Sequence, residues 1–270
     1  MNAPHAKPSI KDLGFDLLNL SAFQLVLTVA LPLVLFALYF VFAFNNIWVL
    51  AVLCTVGLSF FSYGSTSHDL VHENLKLNKT LNAILLVVLE AICFRSGHAY
   101  KLSHLYHHKR FPHHDDIEGS AARMSFFRSV LEGFIFQPRI YHWAVTNHKT
   151  HKYYRLVVFE GLTVVGLIAF CIYSLSFTYV YFVYMCLMIA GSWIIPLVTS
   201  YAVHAPDNDR ELTQTRLFRG LFFSIVAVNH LFHLEHHLYP MVPHKNWPKL
   251  ARRLDDYFQS QGVEPLKITL

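Results

Sequence analysis

Two long stretches without charge constrain the fold of this chain more than any other feature. Residues 17–67 and residues 161–206 contain no Asp, Glu, Lys or Arg. A helix needs about 20 residues to cross the hydrocarbon core of a bilayer, so each stretch can hold two spans and a tight turn. Across the chain 54% of residues are hydrophobic and only 14% are charged, which is too apolar for an ordinary soluble domain. The sequence therefore predicts an all-α integral membrane protein with four transmembrane helices.

The four predicted helices form two hairpins. The first hairpin has helices over residues 21–42 and 47–62, and its turn lies at Asn45 and Asn46. The turn of the second hairpin falls at residues 174–178. All 22 Lys and Arg residues lie outside both turns. The positive-inside rule then predicts that the N-terminus, the C-terminus and the segment between the hairpins are cytoplasmic.

Two shorter apolar segments lie between the hairpins. Residues 81–94 are apolar enough for a fifth helix, but Glu90 is expensive in hydrocarbon, which favours a half-inserted or surface-lying helix. Residues 123–143 mix phenylalanines with arginines, which is typical of an interfacial amphipathic element. The sequence contains no internal repeat or flexible linker, so residues 1–270 are predicted to form a single domain.

Histidines at short, repeated spacings follow the apolar segments. The clusters are His68 and His72, then His104, His107 and His108, and then His233, His236 and His237. Residues four apart share one face of a helix, so two imidazoles of one cluster can reach a single metal ion. Three such clusters on one predicted membrane face can enclose two metal ions. Metal binding is therefore the main functional prediction.

The identity of the metal is less constrained by the residue types. Imidazole suits zinc, copper, iron and nickel. The histidines are more numerous than one tetrahedral zinc requires, and no accompanying cysteine set indicates structural zinc. Two irons with nitrogen-rich ligands can activate dioxygen, which attack on an unactivated C–H bond demands. Because the site lies beside a bilayer, oxidation of a lipid is the favoured chemistry.

The three clusters resemble the histidine boxes of the membrane fatty acid desaturase superfamily, which includes carotenoid hydroxylases and ketolases. The matching motifs are S-H-D-L-V-H at 67–72, H-L-Y-H-H at 104–108 and H-L-E-H-H-L-Y-P at 233–240. The segment V-P-H-K-N-W-P-K-L at 242–250 is similar to the sequence that follows the last box in many members. The resemblance implies four transmembrane helices that carry a cytosolic helical cap with a di-iron centre.

The resemblance also implies a ninth ligand, for which an interfacial histidine without a metal is the alternative. Members commonly take a further ligand from the end of the fourth span, where this chain has His204. The expected metal ligands and catalytic residues are His68, His72, His104, His107, His108, His204, His233, His236 and His237. Carboxylates beside the boxes either orient the outer nitrogens of these rings or are solvated charges, and both alternatives remain open for each residue. The candidates are Asp69, Asp116, Glu118 and Glu235. His98 lies outside the boxes and is expected to be dispensable for activity.

The reaction partners follow partly from what the sequence lacks. It has no G-x-G-x-x-G fingerprint and no P-loop, so electrons are expected from a separate ferredoxin, rubredoxin or cytochrome b5-like protein. The leading expectation is an O2-dependent fatty-acyl or lipid desaturase. A carotenoid hydroxylase or ketolase remains open, because both reactions begin with hydrogen abstraction. A histidine-rich metal transporter is a more distant alternative, since transport sites are expected between repeats near the bilayer midplane. The formal net charge of +5 favours anionic lipid headgroups over nucleic acid.

Overall fold

The computed structural model of the protein describes residues 6–208, 210–220 and 228–267, and its regular structure is mostly helical. The α-helices are α1 (Ile10–Leu13), α2 (Ala22–Phe44), α3 (Trp48–Phe61), α4 (Ser67–Val71), α5 (Lys79–Ile92), α6 (Gly97–Arg110), α7 (Phe126–Glu132), α8 (Phe136–Asn147), α9 (Tyr154–Tyr173), α10 (Val180–Gly191), α11 (His233–Leu238) and α12 (Trp247–Ser260). Two short strands, β1 (Phe218–Arg219) and β2 (Leu266–Lys267), pair in parallel.

Shorter helical turns connect these elements. The 3-10 turns are Phe15–Leu18, Gly119–Arg123, Ser174–Ser176, Ser192–Ile194 and His244–Asn246. The π-helical turns are Ser62–Thr66 and Leu197–Tyr201.

Four helical segments are long and apolar enough to cross a membrane. They are Phe15–Phe44, Trp48–Val71, Tyr154–Ser176 and Val180–Tyr201. Their outer faces are apolar and exposed, as expected for side chains that meet lipid. The prediction of a mostly helical protein with four candidate membrane spans is confirmed.

Local sequence explains where the first span begins and where both turns lie. Ser21 caps α2, because its hydroxyl accepts a hydrogen bond from the backbone N–H of Gln24. α2 ends before Asn45, and Asn46 has a positive φ of 60°, a backbone conformation that asparagine tolerates well. The second turn contains the 3-10 helix Ser174–Ser176. Both turns therefore lie at the predicted positions.

The segment predicted to be half-inserted or surface-lying forms a sharply bent pair of helices. α5 and α6 meet at 105°. The carbonyl oxygen of Ile92, at the end of α5, accepts a hydrogen bond of 2.7 Å from Tyr184 of α10. Glu90 is fully buried and receives two hydrogen bonds from Arg95, at 2.7 and 3.1 Å. The end of α5 therefore contacts α10, and Arg95 offsets the cost of burying Glu90. The bent pair is also apolar enough to be a broken span or a re-entrant loop, so the half-inserted or surface-lying placement of residues 81–94 stays a prediction.

The N-terminal segment packs against the C-terminal helix. Arg253 of α12 forms an ion pair of 2.8 Å with Asp16. The side chain of Asn246 donates a hydrogen bond of 2.9 Å to the carbonyl oxygen of Leu17. The hydroxyl of Tyr239 donates to the carbonyl oxygen of Pro8 at 2.6 Å. The segments at the two ends of the chain therefore meet on one side of the molecule, next to the histidine-rich helix α11.

Candidate metal centre

Two of the spans contain π-helical turns that precede histidines of the boxes or His204. The turn Ser62–Thr66 joins α3 to α4, which carries His68. The turn Leu197–Tyr201 is the last part of the fourth span, and His204 follows it. π-helical turns are rare and often occur at functional sites, because the extra residue changes the direction of the side chains that follow.

The structure brings all nine predicted histidines together in two groups. The first histidine group consists of His68, His72, His104, His108 and His236. The second histidine group consists of His107, His204, His233 and His237. Within each group, one ring nitrogen of every member lies within 4.8 Å of those of the others. α6 and α11 each supply histidines to both groups, so the two groups are adjacent.

The ring nitrogens of the second histidine group converge in a way that hydrogen bonding does not explain. Nδ1 of His204 lies 3.0 Å from the carbonyl oxygen of Ser200 and donates to it, which leaves a lone pair on Nε2. The Nε2 atoms of His107, His233 and His237 each lie 3.2 Å from this atom. One lone pair accepts one good hydrogen bond, so three nitrogens around it indicate a shared cation.

The spacing of the nitrogens fits metal coordination. Two imidazole nitrogens at right angles around a metal, each about 2.1 Å from it, lie about 3.0 Å apart. In the first histidine group, Nε2 of His236 lies 3.1 Å from Nε2 of His68 and 2.8 Å from that of His108. Nε2 of His104 lies 3.2 Å from Nε2 of His108. The donor set and its spacing suit two ions that favour nitrogen ligands, such as iron.

Two buried carboxylates orient histidine rings by accepting hydrogen bonds from Nδ1, on the side of each ring that faces away from the other histidines. Asp116 Oδ2 accepts from Nδ1 of His107 at 2.7 Å, and Glu118 Oε1 accepts from Nδ1 of His104 at 2.8 Å. Asp116 is itself fixed, since its Oδ1 accepts the backbone N–H groups of Glu118 and Gly119. Both carboxylates thus hold the ring proton on Nδ1 and turn Nε2 towards the other histidines. Of the two alternatives, Asp116 and Glu118 therefore have the orienting role.

The other two predicted carboxylates bind different partners. Asp69 accepts from Nδ1 of His244 at 2.5 Å and from its backbone N–H at 3.0 Å. Glu235 forms an ion pair of 2.7 Å with Arg219. Each carboxylate follows or precedes a box histidine directly in a helix, where adjacent side chains point apart. Asp69 and Glu235 are therefore neither solvated charges nor partners of the nine histidines, and both tie separate chain segments together.

Burial keeps most rings of the site neutral. Removal from water, reinforced by neighbouring positive or titratable groups, holds the pKa of several histidines well below its ordinary value. This direction applies to the pKa of His72, His108, His204, His233, His236 and His237. For His107 burial also opposes the charged form, but the Asp116 carboxylate outweighs burial and raises the pKa. Neutral imidazole is the form that binds a metal, and a carboxylate partner increases its basicity.

Histidines outside the two groups have various environments. His113 and His114 are exposed and belong to neither histidine group. His98 is buried, with Nδ1 2.5 Å from Oε1 of Glu160, so it is part of a structural network rather than a free surface residue. Sequence reasoning also missed Ser200 as a partner of His204. The available signal was the spacing of four residues, because it places the carbonyl oxygen of Ser200 one helical turn before His204.

An apolar cavity leads from the outer surface of the spans towards the second histidine group. Its wide part has a volume of about 390 Å³ and is lined by Val56, Trp193 and Leu197 among others. A narrow inner part of about 30 Å³ reaches Tyr63 and His230. Both parts share Ser59, Phe60, Gly191 and Ile194 as lining residues, so they adjoin. The ring centroid of His230 is 4.9 Å from that of His233.

Comparison with known proteins identifies the family. The family model described as fatty acid desaturase matches residues 45–265, which is most of the chain. The chain belongs to the fatty acid desaturase family. A search of curated proteins found no match to this sequence.

Family membership agrees with the architecture and with the site. Fatty acid desaturases are oxidoreductases that act on lipids and receive electrons from a donor, and the four apolar helices suit an integral membrane protein. The matched region includes all nine histidines of the two groups. The resemblance inferred from the three histidine boxes is therefore confirmed.

Proposed function

We propose that the protein is a membrane-bound, O2-dependent di-iron oxidoreductase that acts on C–H bonds of a lipid, and specifically that it is a fatty-acyl or lipid desaturase. The observation that carries this proposal is the pair of adjacent histidine groups near the inner end of an apolar cavity. Two irons, one in each histidine group, would supply the redox chemistry with O2. The nine histidines act as their ligands.

The protein's own residues would set the geometry of the reaction. Asp116 and Glu118 keep the protons on Nδ1 of their histidines, so that the opposite nitrogens remain available as ligands. The apolar cavity holds a methylene chain and directs it past Gly191 and Ile194 towards the second histidine group. Burial of the histidines keeps bulk water away from the reacting carbon atoms.

The stoichiometry requires a reductant. Desaturation removes two hydrogens from neighbouring carbons and forms a double bond, while O2 takes up these hydrogens, two electrons and two protons to give two waters. The electrons come from an external carrier, for which a ferredoxin, a rubredoxin or a cytochrome b5-like protein has suitable chemistry. An acidic carrier suits a chain with a formal net charge of +5.

The same proposal includes topology and domain organisation. The contact between the N-terminal segment and α12 supports a common side for both ends of the chain, which the distribution of Lys and Arg makes cytoplasmic. The active site lies on that side. Four separate chain segments supply the histidines, which supports a single domain over residues 1–270.

A carotenoid hydroxylase or ketolase is the second candidate, and one observation favours it. Nε2 of His230 and the hydroxyl of Tyr63 are buried at the inner end of the cavity, without hydrogen-bond partners among the residues that the structure describes. Polar atoms at this position could receive the oxygen of a hydroxylated or ketonic product. A desaturated product contains no new oxygen and leaves these atoms unused.

Product analysis under ¹⁸O2 tests the function. A host that makes both membrane lipids and carotenoids is grown with wild-type protein and with the His107→Ala variant. New double bonds in lipid without incorporated ¹⁸O, seen only with wild type, support the desaturase. Incorporation of ¹⁸O into pigment supports the second candidate instead. Metal flux through vesicles that contain the protein, with no oxidised lipid or pigment, contradicts both and indicates the transporter.

A further inference from the structure

A second cavity lies between α6, α8, α9 and α10. Its volume is about 260 Å³, just below the usual size of pockets for small molecules. None of the nine histidines is among its described lining residues, so the lipid substrate of the proposed oxidation does not react there. The lining residues include Phe94, Phe134 and Tyr141. Aromatic walls of this kind suit a flat ring.

The outer end of the second cavity is apolar and opens towards the bilayer. It is formed by Val164, Val165 and Ile168 of α9 and by Ile189 of α10. Val165 is 63% exposed and Ile189 is 49% exposed, so these side chains belong to the surface that meets lipid. A ligand with a long apolar tail can therefore keep its tail in the bilayer and place only its head in the cavity.

The inner end of the second cavity offers hydrogen-bond donors that have no acceptor. Within the described part of the chain, neither Nη1 of Arg95 nor Nε2 of Gln137 makes a hydrogen bond, and both residues line this cavity. A buried donor without an acceptor is costly. Arg95 is already paired with Glu90, so an anion is not needed to balance its charge. Neutral carbonyl oxygens of a bound molecule would satisfy both donors.

A chain of aromatic contacts connects this inner end with the first histidine group. Cζ of Arg95 lies 5.1 Å from the ring centroid of Tyr63. The rings of Tyr63 and Tyr100 are stacked, with centroids 4.1 Å apart, and the Tyr100 centroid lies 5.5 Å from that of His104. Both tyrosines are buried. Electrons can tunnel across such short contacts, so a redox-active molecule in the cavity would be coupled to the metal centre.

We propose that the second cavity binds the ring of a membrane quinol, whose electrons reach the first histidine group through Tyr63 and Tyr100. In the oxidised form, the carbonyl oxygens of the ring accept hydrogen bonds from Arg95 and Gln137. The apolar tail leaves the cavity past α9 and α10 into the bilayer. This inference rests on the proposed oxidation, which needs two electrons, and it adds a source within the membrane to the protein carrier.

The reaction balances with a quinol as the reductant. Both O–H bonds of one quinol break, and the ring becomes a quinone as it releases two electrons and two protons. The oxidation of one lipid consumes two electrons and two protons, in addition to the two hydrogens from the lipid, when O2 becomes two waters. Ser96 lines the cavity and donates a hydrogen bond of 2.5 Å to Glu160, within a candidate span. Buried carboxylates at such depth commonly relay protons, so the protons of the quinol can leave through this pair.

Photolabelling of the full-length protein tests the site without any need for turnover. The protein is reconstituted in phosphatidylcholine vesicles with an azido-benzoquinone that carries a decyl tail. After illumination, label should appear on peptides from α8 and α9, and unlabelled decylbenzoquinone should compete. Decylbenzene has the ring and the tail without the carbonyl oxygens and should compete poorly. Equal competition by both compounds would overturn the assignment of a quinone.

Variants separate the specific site from general contact with the bilayer. Val164→Phe fills the cavity and should lower labelling at least about fivefold, because a well-packed site has no room for added volume. Leu162→Phe is the matched control, since Leu162 is 67% exposed on the same helix and is not among the lining residues described. Gln137→Leu removes one donor at similar size and should lower labelling roughly two- to tenfold, the effect of one hydrogen bond. Labelling that is equal in all three variants would contradict the proposed site.

Anaerobic mixing tests the transfer of electrons. The iron-loaded protein in its ferric state is mixed with decylbenzoquinol in the absence of O2 and of any added lipid substrate. About one quinone per chain should form, because two ferric ions accept two electrons, and its ultraviolet absorbance measures it. Quinone formation that is as fast in Val164→Phe as in wild type would refute electron transfer from this cavity. Because no lipid is oxidised, the result does not depend on whether the protein is a desaturase, which product analysis decides separately.

The aromatic path has its own pair of variants. Tyr100→Phe keeps the ring, whereas Tyr100→Leu removes it and widens the gap between Tyr63 and His104. Tyr100→Leu should therefore oxidise the quinol more slowly than Tyr100→Phe, while both variants take up the photolabel and iron equally. Equal rates of quinol oxidation in the two variants would show that the electrons do not pass through this ring.

Discussion

Asp116 offers a sharp test of the metal centre, because replacing it by Asn changes one hydrogen bond and little else. Asp116 is fully buried, and its Oδ1 accepts two backbone N–H groups while Oδ2 accepts from His107 at 2.7 Å. In Asp116→Asn the amide oxygen must stay with the backbone donors. The amide nitrogen then faces Nδ1 of His107, so a donor meets a donor. His107 must move its proton to Nε2, which removes the lone pair that a metal needs.

Comparable changes at other metal sites give the expected loss of iron affinity. Removing a partner behind a ligating histidine costs about 10- to 100-fold in metal affinity, or roughly 1.4–2.7 kcal/mol. The assay measures iron retained per chain by mass spectrometry after dialysis against increasing concentrations of a chelator. The chelator concentration that removes half of the iron should fall by the same factor.

The neighbouring residue provides a matched control. Asp115 is exposed and pairs with Arg110 and Tyr106 instead of a histidine. Asp115→Asn should therefore retain iron as wild type does. Gly119→Ala should resemble Asp116→Asn, since a Cβ at Gly119 would overlap Oδ2 of Asp116. If Asp116→Asn retains iron like wild type, or if Asp115→Asn loses as much, the proposed role of Asp116 is refuted.

Two further predictions concern the ligands and the topology. His204→Ala should lower iron from about two to about one per chain and abolish turnover, because His204 belongs to the second histidine group alone. The exposed His113→Ala is the control, and unchanged iron in His204→Ala would remove His204 from the ligand set. Cysteines placed at Asn46 and at Thr178 should react with an impermeant reagent from outside intact cells, and one at Lys249 only after lysis. Labelling of all three from the same side would refute the cytoplasmic placement of the site.

The sequence was sufficient to predict the spans and the identity of the clustered histidines. Long charge-free stretches locate spans because the cost of charge in hydrocarbon is large, and Asn45 and Asn46 mark a turn by their own backbone preferences. The histidine spacing predicts which rings cluster, because residues four apart share a helix face. These signals are local, so they do not depend on how distant segments pack.

Other features of the site depend on long-range packing and could not be predicted. Helix spacing predicts that His107 lies on a different edge from His104 and His108, as the two groups have it. The sequence gives no reason, however, why Asp69 pairs with the distant His244. Adjacency in sequence was a misleading guide for Asp69, whereas Asp116 reaches His107 only because the chain after α6 folds back. The pairing of Glu90 with Arg95 likewise appears only once the bend between α5 and α6 is known.

The π-helical turn Ser62–Thr66 has a consequence for insertions and deletions. Each residue of an α-helix turns the chain by about 100°, and the π turn holds one residue more than an α turn. Deleting one residue there would restore a regular helix and leave His68 and His72 in nearly their present directions. By contrast, a regular α-helix through the same residues would rotate His68 and His72 by about 100° relative to α3. Neither the lipid-facing surface nor the histidine spacing would change, yet both rings would leave the first histidine group. The π turn thus sets the angular phase between the part of the chain that faces lipid and the part that faces the metal.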